Sequence, residues 1–392
     1  MHYSYLIIGG GMTAAAAVQG IREIDPNNPI GLIGAEAQPP YKRPLLSKAL
    51  WKGEPFAQVW IDIELQGVEL FLGRQAQQLD AVGKQVTDDQ GTVYAFDKLL
   101  LATGGTPRRF SWGGDQIIYY RTLADYRWLR SLTEQGQRFA VIGGGFIGSE
   151  IAAALATNKK DVVMLFPETK ISEHIFAPDL SQFLNDYYGQ KGVELLAGER
   201  AIGVERRGAQ LVLTTEQGRA LPVDGVIAGL GIEPNTELAQ AAGLKVENGI
   251  VVDELLRTSH PDIYAAGDVA NFYNPALGKR LRVEHEDNAT TMGAHVGRAM
   301  AGQATPYTHL PFFYSDLFDM GYEAVGELDA RLEIVADWKD PFREGVLYYL
   351  HEQRVRGVLL WNVWGQVDAA RRLIAAPGPF QPGDLIGRLP ES

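Results

Sequence analysis

Apolar residues recur along this chain in two different rhythms. Near the N-terminus Tyr5-Leu6-Ile7-Ile8 runs without a polar break into Gly9-Gly10-Gly11, and a segment that opens with small apolar residues reads as a helix to about Ile24. A second unbroken run, Ile30–Ile33, completes a strand–helix–strand unit, and Phe139–Ile142, the segment after it and Val162–Phe166 repeat the plan. Strands that are apolar at every position are buried on both faces, as in a parallel sheet covered by helices. The alternation predicts an α/β protein with two doubly wound, Rossmann-like parallel-sheet domains.

The second rhythm is period two. VYAFDKLLLATGGTPRR (93–109) alternates before its run LLLA meets a glycine turn, and DGVIAGLGIEPN (224–235) closes the second unit in a similar way. The short apolar strands of GIVVDELLRTSHPDIYAAGDVA (249–270) read as re-entry into the first domain. Further on, VLYYLHEQRVRGVLLWNVW (346–364) is rich in β-branched and aromatic residues around a polar turn, which predicts an antiparallel hairpin, followed by a helix over Gln366–Ala375. The expected plan is a first domain over residues 1–112 and 243–308, a second over 113–242, and a C-terminal α+β domain with antiparallel strands over 309–392.

The 392 residues exceed one ordinary core, in keeping with that plan. A net charge of −12 opposes nonspecific binding to nucleic acid or an anionic membrane surface. No apolar stretch is long enough to span a bilayer, and the glycines of the first apolar segment suit a turn better than a secretion signal. A cytoplasmic protein, monomeric or weakly dimeric, is the expectation. The chain has 0 cysteines, which excludes disulfides, thiolate metal sites, cysteine nucleophiles and an internal redox dithiol.

Chemistry enters with two glycine patterns, Gly9-x-Gly11-x-x-Ala14 and Gly143-x-Gly145-x-x-Gly148, each between a strand and a helix. Such a turn lets backbone N–H groups at a helix N-terminus approach a pyrophosphate. Either one alone would serve as a tight turn; two in the same context argue for two nucleotides. Glu36 and Glu168 stand just past the second strand of each unit, about twenty residues beyond the motif, where a carboxylate binds an adenosine ribose. Glu284-His285-Glu286-Asp287 has metal-ligand residue types, but adjacent positions at a helix start do not converge on one ion, so no metal is expected.

Taken with ATGGTPR (102–108), YAAGD (264–268), PYKRPLLSKALW (40–51) and RVEHEDNATTMG (282–293), these patterns resemble the flavin-dependent pyridine-nucleotide reductases. Within them the chain looks most like apoptosis-inducing factor and the ferredoxin, rubredoxin and putidaredoxin reductases. The resemblance implies FAD in the first clamp and NADH, or NADPH, in the second, the two meeting at the isoalloxazine ring. It implies that Asp268 bonds the ribityl chain, that Arg43 and Arg108 lie by the FAD phosphates and ring edge, and that Thr103-Gly104 crosses between domains. Ala76, Glu284, His285 and Tyr314 join the FAD side; Phe146, Ile147 and Gly231 join the NAD side. Lys48 and Glu150, from the motifs SK and GSE, would form a pair where hydride arrives, with the lysine tuning the flavin. The helix opened by residues 284–287 would point its positive end at the flavin. The chain departs from these relatives at Glu286, where many carry Trp or His, at Tyr314, where apoptosis-inducing factor has Trp, and at Ala35, often acidic, which leaves Glu36 as the ribose ligand.

Zero cysteines removes the branches that resemble glutathione reductase and NADH peroxidase, so electrons must leave the flavin for an external acceptor. The resemblance implies a small iron–sulfur carrier, a ferredoxin or rubredoxin; a quinone, oxygen or a redox-sensing role are the alternatives. Glu168 favours NADH, since it would repel a 2′-phosphate, although Lys170 lies near. Basic residues expected to meet an acidic carrier are Lys42, Lys52, the run Lys279-Arg280-Leu281-Arg282, and Arg371-Arg372.

Overall fold

The computed structural model describes residues 1–61 and 67–389. They form two compact units, one of Met1–Lys42, Ala57–Thr106 and Glu233–Phe312, the other of Arg43–Phe56, Pro107–Ile232 and Phe313–Ser392. Among the described residues no helix is long and apolar enough to cross a membrane.

In the first unit the unbroken apolar runs lie side by side. The sheet order is Val68–Leu72, Ile30–Gly34, His2–Ile8, Val93–Leu101, with Ile263–Ala265 also paired to Val93–Leu101. These pairings are parallel, with Tyr5 opposite Ile30, Leu6 opposite Leu99 and Ile263 opposite Leu99. Gln85–Asp88 and Ala76–Asp80 extend the edge antiparallel. Helix Met12–Ile24 packs against helix Glu286–Met300 closely enough that side chains would collide. A Cβ on Gly20 would land on the Ala294 carbonyl, one on Gly297 on the Ala17 carbonyl, and one on Gly293 on that of Thr13. The small residues after the first clamp therefore serve a helix–helix contact as well as the turn.

The second unit repeats the parallel core in the order Val193–Ala197, Asp161–Phe166, Arg138–Ile142, Gly225–Ala228, Ile117–Tyr119. It also contains a three-stranded antiparallel sheet, Ala201–Arg207, Gln210–Thr215 and Ala220–Val223, that the periodicity did not announce. Its C-terminal part is a five-stranded antiparallel sheet ordered Phe312–Leu317, Met320–Gly326, Arg354–Trp361, Glu344–His351, Glu333–Asp340. The expected hairpin is its centre, turning at Glu352 and Gln353, whose φ values of 49° and 59° suit a tight turn with the right-handed strand twist. The expected helix follows as Val367–Ala375. Aromatic packing ties this sheet to the parallel module: Tyr322 stacks on Trp361 at 5.6 Å, and Phe176 sets its edge on Tyr322 at 5.3 Å and on Trp361 at 5.8 Å.

The glycine contacts separate two kinds of substitution. Gly297→Ala forces a methyl onto backbone and should destabilise the protein by about 1–3 kcal/mol. Gly189→Ala, in helix Pro178–Gln190 with no protein atom within 4 Å of the new methyl, should stabilise it by roughly 0.5 kcal/mol. Denaturant midpoints of the two variants, moving in opposite directions, are the measurement.

Candidate functional site

Both glycine turns sit where the strand order reverses, the crevice in which open α/β sheets bind ligands. Gly9 has φ 124°, and a Cβ there would strike the carbonyl oxygen of Ala102 at the end of the neighbouring strand. Gly143 has φ 116°, and its Cβ would meet the Gly229 carbonyl. A Cβ on Gly148 would in turn strike the Gly143 carbonyl, while its counterpart Ala14 is fully buried. The outer positions of each motif are thus set by the protein's own packing. The middle ones are different. Gly11 and Gly145 have φ of −97° and −87°, which any residue adopts, and beyond the adjoining residues no described atom lies within 4 Å of a Cβ at either. Nothing in the fold requires glycine there, whereas close approach of a pyrophosphate to the helix N-terminus does. The residues present fit a dinucleotide in both places.

Around the first clamp the chain gathers the other predicted groups of the same unit. The Tyr41 hydroxyl donates to Glu36 Oε2 at 2.7 Å, and the Glu36 carbonyl accepts from Gly73 N–H at 3.0 Å, which fixes this carboxylate just past the second strand. Asp268 lies in the turn Gly267–Val269, where Gly267 has φ 76° and a Cβ would collide with Thr13 on the clamp helix. The Asp268 carbonyl accepts from Arg282 Nη1 at 3.1 Å, and the same Nη1 lies 2.6 Å from Glu284 Oε1. His285 caps helix Glu286–Met300 with extended backbone. Thr103 and Gly104 are tied to Asn235: Thr103 Oγ1 donates to its carbonyl at 2.7 Å, its side-chain amide donates to the Thr103 carbonyl at 2.9 Å, and its N–H to the Gly104 carbonyl at 3.0 Å. Ala76 opens an antiparallel edge strand and packs on the core.

The second clamp lies in the second unit. Phe146 begins its helix and meets Phe313 edge-on at 5.0 Å, and Ile147 is 37% exposed. Glu168 follows Asp161–Phe166, its carbonyl accepting from Gly198 N–H at 2.8 Å and its carboxylate 3.5 Å from His174 Nε2. Gly231 has φ 79° and accepts through its carbonyl from the N–H of Arg108, an exposed residue. Arg43 directs Nη1 to the Arg121 carbonyl at 3.1 Å.

The same helix carries Glu150, which is 4% exposed. Burial of a carboxylate is costly unless its oxygens are satisfied, and here they are. Lys48 Nζ donates to Oε1 at 2.7 Å, Ser315 Oγ to Oε1 at 2.6 Å, and Ser47 Oγ to Oε2 at 2.5 Å. The Lys48 ammonium also lies 5.1 Å from the centre of the Tyr314 ring. Two buried phenols complete the surroundings: burial, and then the charge of Glu150, push Tyr188 and Tyr322 well above the usual tyrosine range. Sequence reasoning paired Lys48 with Glu150 but missed Ser47 and Ser315. The only signal for Ser315 is its place at an inward-facing position of the amphipathic strand FFYSDL, and it becomes readable only once a buried charge is known to lie opposite.

The basic run Lys279–Arg282 is not the free cationic face expected from sequence. Arg280 spends its guanidinium on the carbonyls of Val252 and Asn271 and on Asn271 Oδ1, and Arg282 spends its own on Asp268, Asn248 and Glu284. Lys52 pairs with Asp316 at 2.7 Å and Arg371 with Asp368 at 2.9 Å. Charge counting could not see these partners, because most come from distant segments.

Comparison with known proteins agrees with this geometry. The family model of pyridine nucleotide-disulphide oxidoreductases matches residues 3–293, and the C-terminal model of mitochondrion-associated apoptosis-inducing factor matches 296–341 and 335–376. The chain is 35% identical to the ferredoxin–NAD(+) reductase component of an anthranilate 1,2-dioxygenase system from Burkholderia cepacia, over 97% of each chain. It is 33% identical to mitochondrial apoptosis-inducing factor 1 of Dictyostelium discoideum, over 95% of this chain and 78% of that one. A crystal structure of a covalent putidaredoxin reductase–putidaredoxin complex superposes with a TM-score of 0.91 at 30% identity, covering 98% of this chain and 95% of the other.

The two classes of glycine give a direct test. Gly145→Ala should leave stability within about 0.5 kcal/mol of the parent yet weaken pyridine-nucleotide binding roughly tenfold or more, because a methyl occupies the approach to the helix end. Gly148→Ala should lower the melting temperature as well. A Gly145→Ala protein that melts early and binds normally would mean that this glycine serves the fold.

Proposed function

The chain belongs to the pyridine nucleotide-disulphide oxidoreductase family, and we propose that it oxidises NADH through bound FAD and passes the electrons to a small iron–sulfur protein of the ferredoxin or rubredoxin type. The observation that carries this reading is the buried Lys48–Glu150 pair in a chain with 0 cysteines. Where family members with a redox disulfide relay electrons internally, this chain has no thiol to receive them, so its acceptor is external. The likeness to ferredoxin–NAD(+) reductases over nearly the whole length supports an iron–sulfur acceptor.

The residues divide the work by unit. Gly9, Gly11 and Ala14 present the first helix N-terminus to the FAD pyrophosphate, Glu36 takes the adenosine ribose, and Asp268 takes the ribityl chain, with Thr103, Gly104, Ala76, Glu284 and His285 lining the same side. Gly143, Gly145 and Gly148 do the same for the nicotinamide nucleotide, with Phe146, Ile147 and Gly231 beside it. Bound FAD supplies a centre that takes a hydride and gives electrons up singly. Lys48, held by Glu150 and lying by Tyr314, brings a positive charge that favours negative charge on the reduced ring. Arg43 and Arg108 add charge near phosphates and ring. We also propose a cytoplasmic location, a reading supported by the cysteine-free sequence.

The test is NADH-dependent reduction of ferredoxins and rubredoxins from the host, set against quinones and oxygen, across an ionic-strength series. Iron–sulfur proteins should turn over fastest at every ionic strength, and the direction in which salt moves their rates reports whether the encounter is attractive or repulsive, screened over a Debye length of about 10 Å at 0.1 M. Faster turnover of quinones or oxygen would make the protein a small-acceptor reductase instead. A reduced flavin that outlives every acceptor would favour redox sensing, as the likeness to apoptosis-inducing factor allows. NADH should exceed NADPH by about tenfold or more in kcat/KM, because Glu168 repels a 2′-phosphate. Glu168→Gln should narrow that gap several-fold, and equal use of both nucleotides by the parent would remove Glu168 from the ribose site.

A further inference from the structure

Three separate stretches of chain meet at the Glu150 carboxylate, and one of them has no place in the nucleotide-binding plan. Lys48 and Ser47 come from the loop before residue 50, Glu150 from the second clamp's helix, and Ser315 from the first strand of the C-terminal sheet. Ser315 is 1% exposed and bonds the same oxygen, Oε1, that receives the Lys48 ammonium. Its strand neighbours grip the same loop: the Tyr314 ring lies 5.1 Å from Lys48 Nζ, and Asp316 takes Lys52 at 2.7 Å. Ser315 therefore restricts where Glu150 Oε1 points, and through it where the Lys48 ammonium rests.

We propose that Ser315 is a positioning residue for the reduction of the flavin: its hydroxyl, with that of Ser47, fixes Glu150 and so Lys48, which makes the C-terminal sheet part of the redox site. The inference rests on the function proposed above. In the step concerned, NADH loses one hydride, two electrons with a proton, to bound FAD and leaves as NAD+; no chain atom changes its covalent bonds. The role of Ser315 is orientation of a charge, which distinguishes it from a residue that merely fills space.

The experiment is anaerobic stopped-flow reduction of the FAD-loaded protein by NADH with no acceptor present. Ser315→Ala, Ser315→Cys and Ser315→Thr are compared with the parent, each also in a Lys48→Ala background. A lost hydrogen bond to a charged group corresponds to a slowing of roughly tenfold or more in the limiting rate, with the NADH dissociation constant changed less than about twofold. Ser315→Thr, which keeps the hydroxyl, should recover most of the rate. In the Lys48→Ala background Ser315→Ala should cost less than about twofold, since residues acting through one charge are not additive. The flavin midpoint, read by dye equilibration, should move in the direction that Lys48→Ala moves it and no further in the double variant. Equal slowing in both backgrounds, failure of threonine to restore the rate, or an unchanged rate in Ser315→Ala would overturn the proposal. If Ser315→Ala does not fold, Ser315→Cys, similar in size and a weak donor, decides by the same cycle. A parent protein that NADH fails to reduce would sink the proposed function itself, a result separable from additive variants of an active parent.

Discussion

A carboxylate buried to 4% exposure is costly unless its oxygens are given donors, and Glu150 is given three. That requirement organises the second unit. It draws the Ser47–Lys48 loop onto the helix of the second clamp and holds the first strand of the C-terminal sheet against both. Nearby aromatic side chains seal the arrangement, Phe146 against Phe313 and Tyr188 with its hydroxyl on the Ser149 carbonyl. A charge placed so deeply and satisfied so fully is weak evidence for stability. In the function we propose, its role is to fix the position of the Lys48 ammonium.

The repeated clamp shows how one backbone solution serves two ligands while the neighbourhood separates their roles. In both copies the first glycine lets the end of one strand lie against the end of the next, so the crevice is built before any ligand is considered. The middle glycine, which the fold itself does not require, is the part we assign to the nucleotide. Beyond the turns the copies diverge: the first is followed by Glu36 held by Tyr41 and approached by Asp268, the second by Glu168 and, one turn into its helix, Glu150. A flavin that stays and a nicotinamide that leaves need different surroundings. Of the two clamp helices, only the second carries a buried carboxylate.

The sequence by itself determined the elements whose signal is local. Unbroken apolar runs became parallel strands, Tyr5–Ile8 within His2–Ile8 and Ile30–Ile33 within Ile30–Gly34, because a strand buried on both faces has no polar side. The hairpin about Glu352-Gln353 was readable from a polar turn between β-branched and aromatic runs, and the helix beginning near Gln366 follows it as expected. The clamps were readable because their glycine spacing records a positive φ at the first position and close backbone approaches at the others. What only the tertiary structure decided depends on residues far apart in the chain. Ser315 reaches Glu150 across 165 positions, and Arg280 finds its carbonyl partner Val252 at 28. A serine looks the same to sequence reasoning whether its hydroxyl faces water or a buried charge, and an arginine counts as a surface cation until its donors are accounted for. Periodicity constrains which face of an element is apolar, but the polar groups that meet across elements are fixed by how the chain crosses in space, and no local pattern encodes that.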